Sequence, residues 1–368
     1  MVGAAERPNK EDGGPIRWYY RHHPAVSLRS EIAEQPGVVQ RLLDEGRAEA
    51  GAHALALARA RHLTLAARGS SDNAATYGKY LFESIAGLVT ASAAPSLITR
   101  YRTAPSFAEG AVIGISQSGS SPDVAAVVAA ARADGAFTLA LTNAARSRLA
   151  RTAGGLFLLR CGRERAVAAT KTYTASCLAL ALLASATAEA RGRAALSFEG
   201  IVDAVREAVE KEKDAERLAR RIGTGRMLVV LGRGYDYAAA LEGALKIKEL
   251  ARVWAEPYSS ADFAHGPRTL LERGTPVLLF ASRGATLSEA HRIAGDLAGR
   301  GARVYAITND ERLAEKVDDA VLLRVQVNEA LAPIGLSVVA QHVAASVARR
   351  HRRDPERPAG LSKVTRTL

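Results

Sequence analysis

Cysteine is almost absent from this 368-residue chain, with Cys161 and Cys177 its only two. Two thiols cannot build a disulfide framework, so a reducing, cytoplasmic setting is the expectation. Long hydrophobic runs are missing too. The longest uncharged apolar stretch, around Cys177 to Ala188, is too short to span a bilayer, and residues 1–25 lack the apolar core of a signal peptide. Aromatics make up only 5% and form no RNA-binding motif. No histidine has zinc-ligand spacing with cysteine or carboxylates, and Gly232-Arg233-Gly234 lacks the third glycine of a dinucleotide fingerprint. No metal, cofactor, membrane or nucleic acid is therefore expected. Acidic residues are outnumbered 38 to 50, which leaves a net charge of +12. The basic residues are dispersed rather than blocked, a field suited to a small anionic substrate.

What remains is globular in composition, 48% hydrophobic and 24% charged, with enough chain for two domains. Its most informative segment is Val112-Ile113-Gly114-Ile115-Ser116-Gln117-Ser118-Gly119-Ser120-Ser121. A strand-like stretch ends in four hydroxyls, an amide and a glycine, and an alanine-rich helical pattern, Val124 to Ala133, follows. The first turn of such a helix leaves N–H groups unpaired and favours negative charge, so the turn is read as a phosphate site. One serine would suffice for an ordinary N-cap, but this loop offers four hydroxyls in six residues.

The chain also repeats itself. Ser116 to Asn143 and Ser282 to Asn309 each span 27 residues from a serine turn through a helical pattern to a strand ending Thr-Asn. Upstream, Leu63 to Gly69 echoes Leu228 to Gly234 at an offset of 165, and the later pair is offset by 166. Strands alternating with helical patterns imply parallel sheets covered by helices on both faces, with ligands at the carboxyl ends of the strands. Aligning Ser116-Gln117-Ser118-Gly119 with Ser282-Arg283-Gly284-Ala285 shows the second copy stripped of most hydroxyls. It carries instead a charged helix around Glu242, Lys246 and Glu249, and the turn His265-Gly266-Pro267. One copy would hold phosphate while the other supplies acid–base groups. The expected organisation is an N-terminal extension of poor order (1–30), a first domain (31–197), a helical linker (198–215), a second domain (216–350) and a C-terminal tail closing the site (351–368).

Seven motifs in order carry a family resemblance. They are Arg68-Gly69-Ser70-Ser71, the Ser116 loop, Ala168-Ala169-Thr170-Lys171-Thr172, Leu231-Gly232-Arg233-Gly234, Leu241-Glu242-Gly243-Ala244-Leu245-Lys246, His265-Gly266-Pro267 and Leu361-Ser362-Lys363. Together they resemble the two-domain sugar isomerase (SIS) family, in particular the isomerase half of glutamine–fructose-6-phosphate aminotransferase and SIS-type glucosamine-6-phosphate deaminases. The resemblance implies an α/β fold of two tandem SIS domains, each a flavodoxin-like parallel sheet in an α-β-α sandwich. It implies that Ser116, Gln117, Ser118 and Ser121 hold a 6-phosphate, that Ser71 bonds a sugar hydroxyl, and that Val167 and Ser362 offer backbone groups. Glu249 would move a proton between C1 and C2, assisted by Lys246, with Glu242 behind them. His265 would open the sugar ring from a neighbouring subunit of a homodimer or larger assembly, and Lys363 would form a Schiff base with an open-chain ketose. Ser120 replaces a frequent family Glu, and Arg68 a frequent Cys.

The aminotransferases carry a glutaminase domain with an N-terminal cysteine nucleophile. This sequence begins Met1-Val2, so glutamine-driven synthesis is not expected of it. The resemblance points to deamination of glucosamine 6-phosphate to fructose 6-phosphate and ammonia. Isomerisation of another phosphosugar and deglycation of a fructosamine 6-phosphate are alternatives that use the same groups, and a non-catalytic sugar-phosphate sensor is an alternative of a different class.

Overall fold

Two five-stranded sheets, each parallel throughout, organise the chain. The computed structural model describes residues 27–363; most of the expected N-terminal extension and the last five residues of the tail lie outside the described residues. The first half runs α1 (Leu28–Ala33), α2 (Gln35–Arg59), β1 (Leu63–Ala66), α3 (Ser70–Ser84), β2 (Thr90–Ser92), α4 (Pro95–Thr99), β3 (Ala111–Ile115), α5 (Pro122–Ala133), β4 (Phe137–Thr142), α6 (Arg148–Thr152), β5 (Gly155–Leu158) and α7 (Lys171–Ala190). Helices α8 (Ile201–Glu210) and α9 (Glu212–Ile222) connect the halves, so the helical link reaches beyond the expected residue 215. The second half runs β6 (Met227–Gly232), α10 (Asp236–Ala251), β7 (Trp254–Ser259), α11 (Ser260–Ala264), β8 (Pro276–Ala281), α12 (Leu287–Gly299), β9 (Arg303–Thr308), α13 (Glu311–Lys316), β10 (Asp319–Leu322) and α14 (Ala332–Arg350).

Strand order is β2-β1-β3-β4-β5 in the first sheet and β7-β6-β8-β9-β10 in the second, so the halves share one flavodoxin-like topology. Central strands such as Leu63–Ala66 and Ala111–Ile115 are buried at every position, which explains why Thr64 is the single polar residue in them. The structure corrects the alignment of the two copies. Helix α5 starts at Pro122 after Ser121, and α12 starts at Leu287 after Thr286. Matching these starts places Ala281 at the position of Ser116, Ser282 at that of Gln117, and Gly284 at that of Gly119. Helix α12 has 13 residues against 12 in α5, and this extra residue produced the equal 27-residue spacing.

Helices α2 and α7 of the first half and α10 and α14 of the second form the shared core, bracketed by α8 and α9. Two helical segments, Lys171–Ala190 and Glu329–Arg350, are long and apolar enough to cross a membrane, contrary to the expectation from uncharged run length. They lie inside the fold instead, with 83% and 100% of their apolar windows buried. Polar bonds register the two halves within this core. Gln35 Nε2 donates to Gln341 Oε1 at 2.8 Å, and the Tyr77 hydroxyl donates to the Ala330 carbonyl at 2.5 Å.

Candidate active site

Strands β1 and β3 are neighbours, with Ala66 paired to Gly114, and the chain leaves them towards opposite edges of the sheet. The loops after these strands therefore open a crevice at the point where strand order reverses. Ser116 is buried at the floor, its Oγ 3.2 Å from Ser121 Oγ. Ser121 is the N-cap of α5 but makes no capping hydrogen bond, so its hydroxyl serves the loop rather than the helix. The Gln117 and Ser118 amides have no acceptor among the described residues, while the Ser120 amide reaches Ser118 Oγ at 3.3 Å. Gly119 is required here. Its φ is +60°, and a Cβ would lie 2.0 Å from Ser147 Oγ. The Asn143 amide donates to Gln117 O at 3.1 Å and the Leu149 amide to Gly119 O at 3.0 Å, which pins the turn from behind. Arg68 Nε donates to Asp123 Oδ2 at 2.6 Å, tying the β1 loop to the first turn of α5. The result is a rigid cluster of hydroxyls and amide donors at a helix N-terminus, the chemistry that holds a phosphate dianion.

The residues expected to act as acid and base lie on α10, where Glu242, Lys246 and Glu249 recur at helical spacing on one face. Lys246 is buried, pairs with Glu249, and lies 3.5 Å from Glu242 Oε1. Burial alone would depress its pKa, but the charges of Glu242 and Glu249 outweigh that and hold it above the usual lysine value. Glu242 is fully buried, and its Oε2 accepts from Asn73 Nδ2 at 2.8 Å. Burial pushes the Glu242 carboxyl up, partly offset by Lys246 and by the bond from Asn73. Because Asn73 and Ser71 share the first turn of α3, that bond fixes Ser71 relative to the α10 cluster. Glu249 keeps 24% of its side chain exposed, so among these carboxylates it is the one open to a ligand.

The tail supplies the third element. Lys363 Nζ lies 2.5 Å from Glu164 Oε2, and Glu164 is fully buried. Its carboxylate also accepts from the Thr170 amide at 2.9 Å, the Thr172 amide at 3.1 Å and the Thr172 hydroxyl at 2.8 Å. Burial opposes ionisation of Glu164, but the Lys363 charge and these donors prevail and hold its pKa below the ordinary carboxylate range. Glu31 grips the same loop, accepting from the Arg165 and Ala166 amides at 2.5 and 3.0 Å. Behind it, buried Lys171 pairs with Glu34 at 2.7 Å and lies 3.8 Å from Glu31. Half-buried Val167 is thus anchored from both sides of its loop, and Ser362, exposed, precedes Lys363.

Contacts through Arg68 and Asn73 join the Ser116 loop and Ser71 to Glu242, Lys246 and Glu249, while Glu164 joins the Val167 loop to Lys363 and reaches Lys246 through its charge alone. His265 stands apart. It is exposed after α11, and its ring makes no hydrogen bond or ion pair among the described residues. Sequence reasoning missed Glu164, Glu31 and Asn73. Asn73 lies one turn along from the glycine of the first motif, and Glu164 three residues before Val167; nothing in their own local pattern sets them apart from surface residues.

Known proteins resemble this chain in sequence and in fold. The profile of the SIS domain matches residues 56–186 and 225–348. A glutamine–fructose-6-phosphate aminotransferase [isomerizing] from Gloeobacter violaceus is 35% identical over 358 residues, 91% of this chain. This chain spans only 58% of that relative's length. A crystal structure from Silicibacter pomeroyi DSS-3, provisionally described as a phosphosugar isomerase, superimposes with a TM-score of 0.77 at 36% identity, covering 90% of this chain and 100% of that one. A glucosamine-6-phosphate deaminase from Thermotoga maritima superimposes with a TM-score of 0.73 at 22% identity, covering 92% and 99%, which shows the shared fold.

Proposed function

The chain belongs to the SIS-domain family, and on that premise we propose that it is a phosphosugar-processing enzyme that deaminates glucosamine 6-phosphate to fructose 6-phosphate and ammonia. The observation that carries this reading is the chain of contacts that runs from the serine loop through Arg68 and Asn73 to Glu242, Lys246 and the partly exposed Glu249.

In this reading the Ser116, Gln117, Ser118 and Ser121 groups bind the 6-phosphate, and Ser71 bonds a sugar hydroxyl. His265, contributed by a second subunit, opens the ring; an imidazole titrates in the right range for that step. Glu249 takes the proton from C2 and returns it to C1, while Lys246 delivers a proton to the C1 oxygen and recovers one from the C2 amine. The aldehyde becomes an alcohol and the C2 amine an imine. Water adds to the imine and ammonia leaves, so one glucosamine 6-phosphate and one water give one fructose 6-phosphate and one ammonia. A positioned carboxylate contributes about 10²–10⁴-fold in such proton transfers. Lys363 would condense with the C2 carbonyl of an open-chain ketose, releasing water, with Val167 and Ser362 lining the sugar.

The similarity to the aminotransferase favours the same sugar-phosphate pair with the amine handled differently. Incubation of the purified protein with glucosamine 6-phosphate, with ammonia and fructose 6-phosphate measured together, tests the proposal. Stoichiometric release that Glu249→Gln abolishes supports it. No release, with turnover of a fructosamine 6-phosphate or of another phosphosugar instead, replaces the deaminase by that reaction. Tight binding without turnover of any of them points to a sensor.

A further inference from the structure

The second half contains the same β-turn-α geometry as the phosphate loop, yet its donors are already taken. The Ser282 amide, at the position of the Gln117 amide, donates to Asp236 Oδ2 at 2.8 Å, and Ser282 Oγ lies 2.9 and 3.0 Å from the two Asp236 oxygens. The Arg283 amide, at the position of Ser118, donates to Asn309 Oδ1 at 2.7 Å. The Ala285 amide, at the position of Ser120, donates to Glu329 Oε1 at 2.8 Å. Asp236 lies 165 residues after Ser71, the offset that also relates Gln117 to Ser282. A position read as facing the ligand in the first half has thus become a plug in the second, and Glu329, from the segment before α14, adds a second carboxylate. The fit is close: a Cβ on Gly284 would lie 1.9 Å from Glu329 Cδ.

We infer that the second half is a phosphate-monoester cradle closed by the protein's own carboxylates, Asp236 and Glu329, which stand where the anion's oxygens would bind. A carboxylate accepting turn amides imitates a phosphate oxygen pair, so the loop keeps its conformation without a ligand. Beside it an open cavity of about 730 Å³, bordered by Arg283, Ser288 and Arg312 and also by the carboxylates of Asp310 and Glu311, leaves room for the rest of a small ligand. This inference rests on the reading of the Ser116 loop as a phosphate site, and its experiment separates the two.

Inorganic phosphate is titrated into the full chain and followed by calorimetry and phosphorus NMR. The unaltered protein is expected to bind one phosphate, weakened roughly 10- to 100-fold in Ser118→Ala; failure here overturns the first-half reading alone. Asp236→Ser with Glu329→Ala, made in the Ser118→Ala background and checked for folding by circular dichroism, is expected to restore tight binding of one phosphate per chain. A folded variant that binds none overturns the inference. The reciprocal substitution covers the case of misfolding. Ser71→Asp should plug the first cradle and weaken phosphate roughly 100-fold relative to the neutral Ser71→Asn, through like-charge repulsion at close range. Equal binding by the two would also overturn it.

Discussion

The Lys363 ammonium sits 2.5 Å from a Glu164 carboxylate that is itself fully buried, so the last described residue of the tail is tied to the interior of the first half. Glu164 and Glu31 grip opposite sides of one short loop, and Val167 projects from that loop. The tail, the loop and α7 therefore form one mechanical unit around the crevice.

Glu164→Gln should release the tail. Removing one partner of a buried pair costs about 3–5 kcal/mol, and 22% exposure of Lys363 places this case near the lower end. The depressed pKa of Glu164 means its contribution is present above the unfolded carboxyl value and lost as pH falls through the folded one. The difference in melting temperature between the two proteins should shrink towards acid pH, with faster proteolysis of the tail at neutral pH.

Glu249→Gln should lower kcat about 10²–10⁴-fold with little change in KM, because it removes proton transfer and keeps the shape. Lys246→Met should also cost stability, since it leaves Glu242 buried beside Glu249 with no cation between them. Steady-state kinetics and thermal melts separate the two effects.

Ser118→Ala should raise KM roughly 10- to 100-fold, the loss of one hydrogen bond to a charged group, and leave a non-phosphorylated sugar's weak turnover unaffected. Gly119→Ala should do more. The new methyl would meet Ser147 Oγ at 2.0 Å in a left-handed backbone, so the whole turn must shift. Phosphate titration of both variants checks the order.

The doubly wound fold was legible because burial on both sheet faces makes continuous apolar strands, and because the duplication repeats them. The alignment of the copies slipped by one residue because the insertion lies inside α12, where helical periodicity absorbs it without a sequence mark. The serine loop and the α10 cluster could be read from local spacing. Glu164, Glu31 and Asn73 could not, since the Lys363, Arg165 and Glu242 groups they meet stand 199, 134 and 169 residues away, and only the tertiary fold brings them together.

If His265 acts across subunits, two inactive proteins should complement each other. Mixing His265→Ala with Glu249→Gln under conditions of subunit exchange should restore about a quarter of the wild-type activity, because half the dimers are mixed and each mixed dimer has one intact site. No recovery, with exchange shown by native mass spectrometry, would place His265 in the site of its own chain or outside it.

Asp236 should make the fold less stable as pH rises through neutrality, opposite to the usual carboxylate. Burial pushes its pKa up to about 7, against donation from the Ser282 amide and hydroxyl, and the negative charge of Glu329 adds to the rise. An unfolded aspartate titrates near pH 4, by about 3.9. Between those values the folded chain keeps a proton that the unfolded chain has lost, so stability falls as pH climbs from about 4 to about 7 and then levels off. At 1.36 kcal/mol per pKa unit the span amounts to about 4 kcal/mol. Asp236→Asn keeps the shape and removes the titration. Denaturant melts of both proteins at acid and alkaline pH should show the variant gaining on the wild type as pH rises; parallel curves across that range would mean that Asp236 is already ionised in the acid fold, fully stabilised by Ser282.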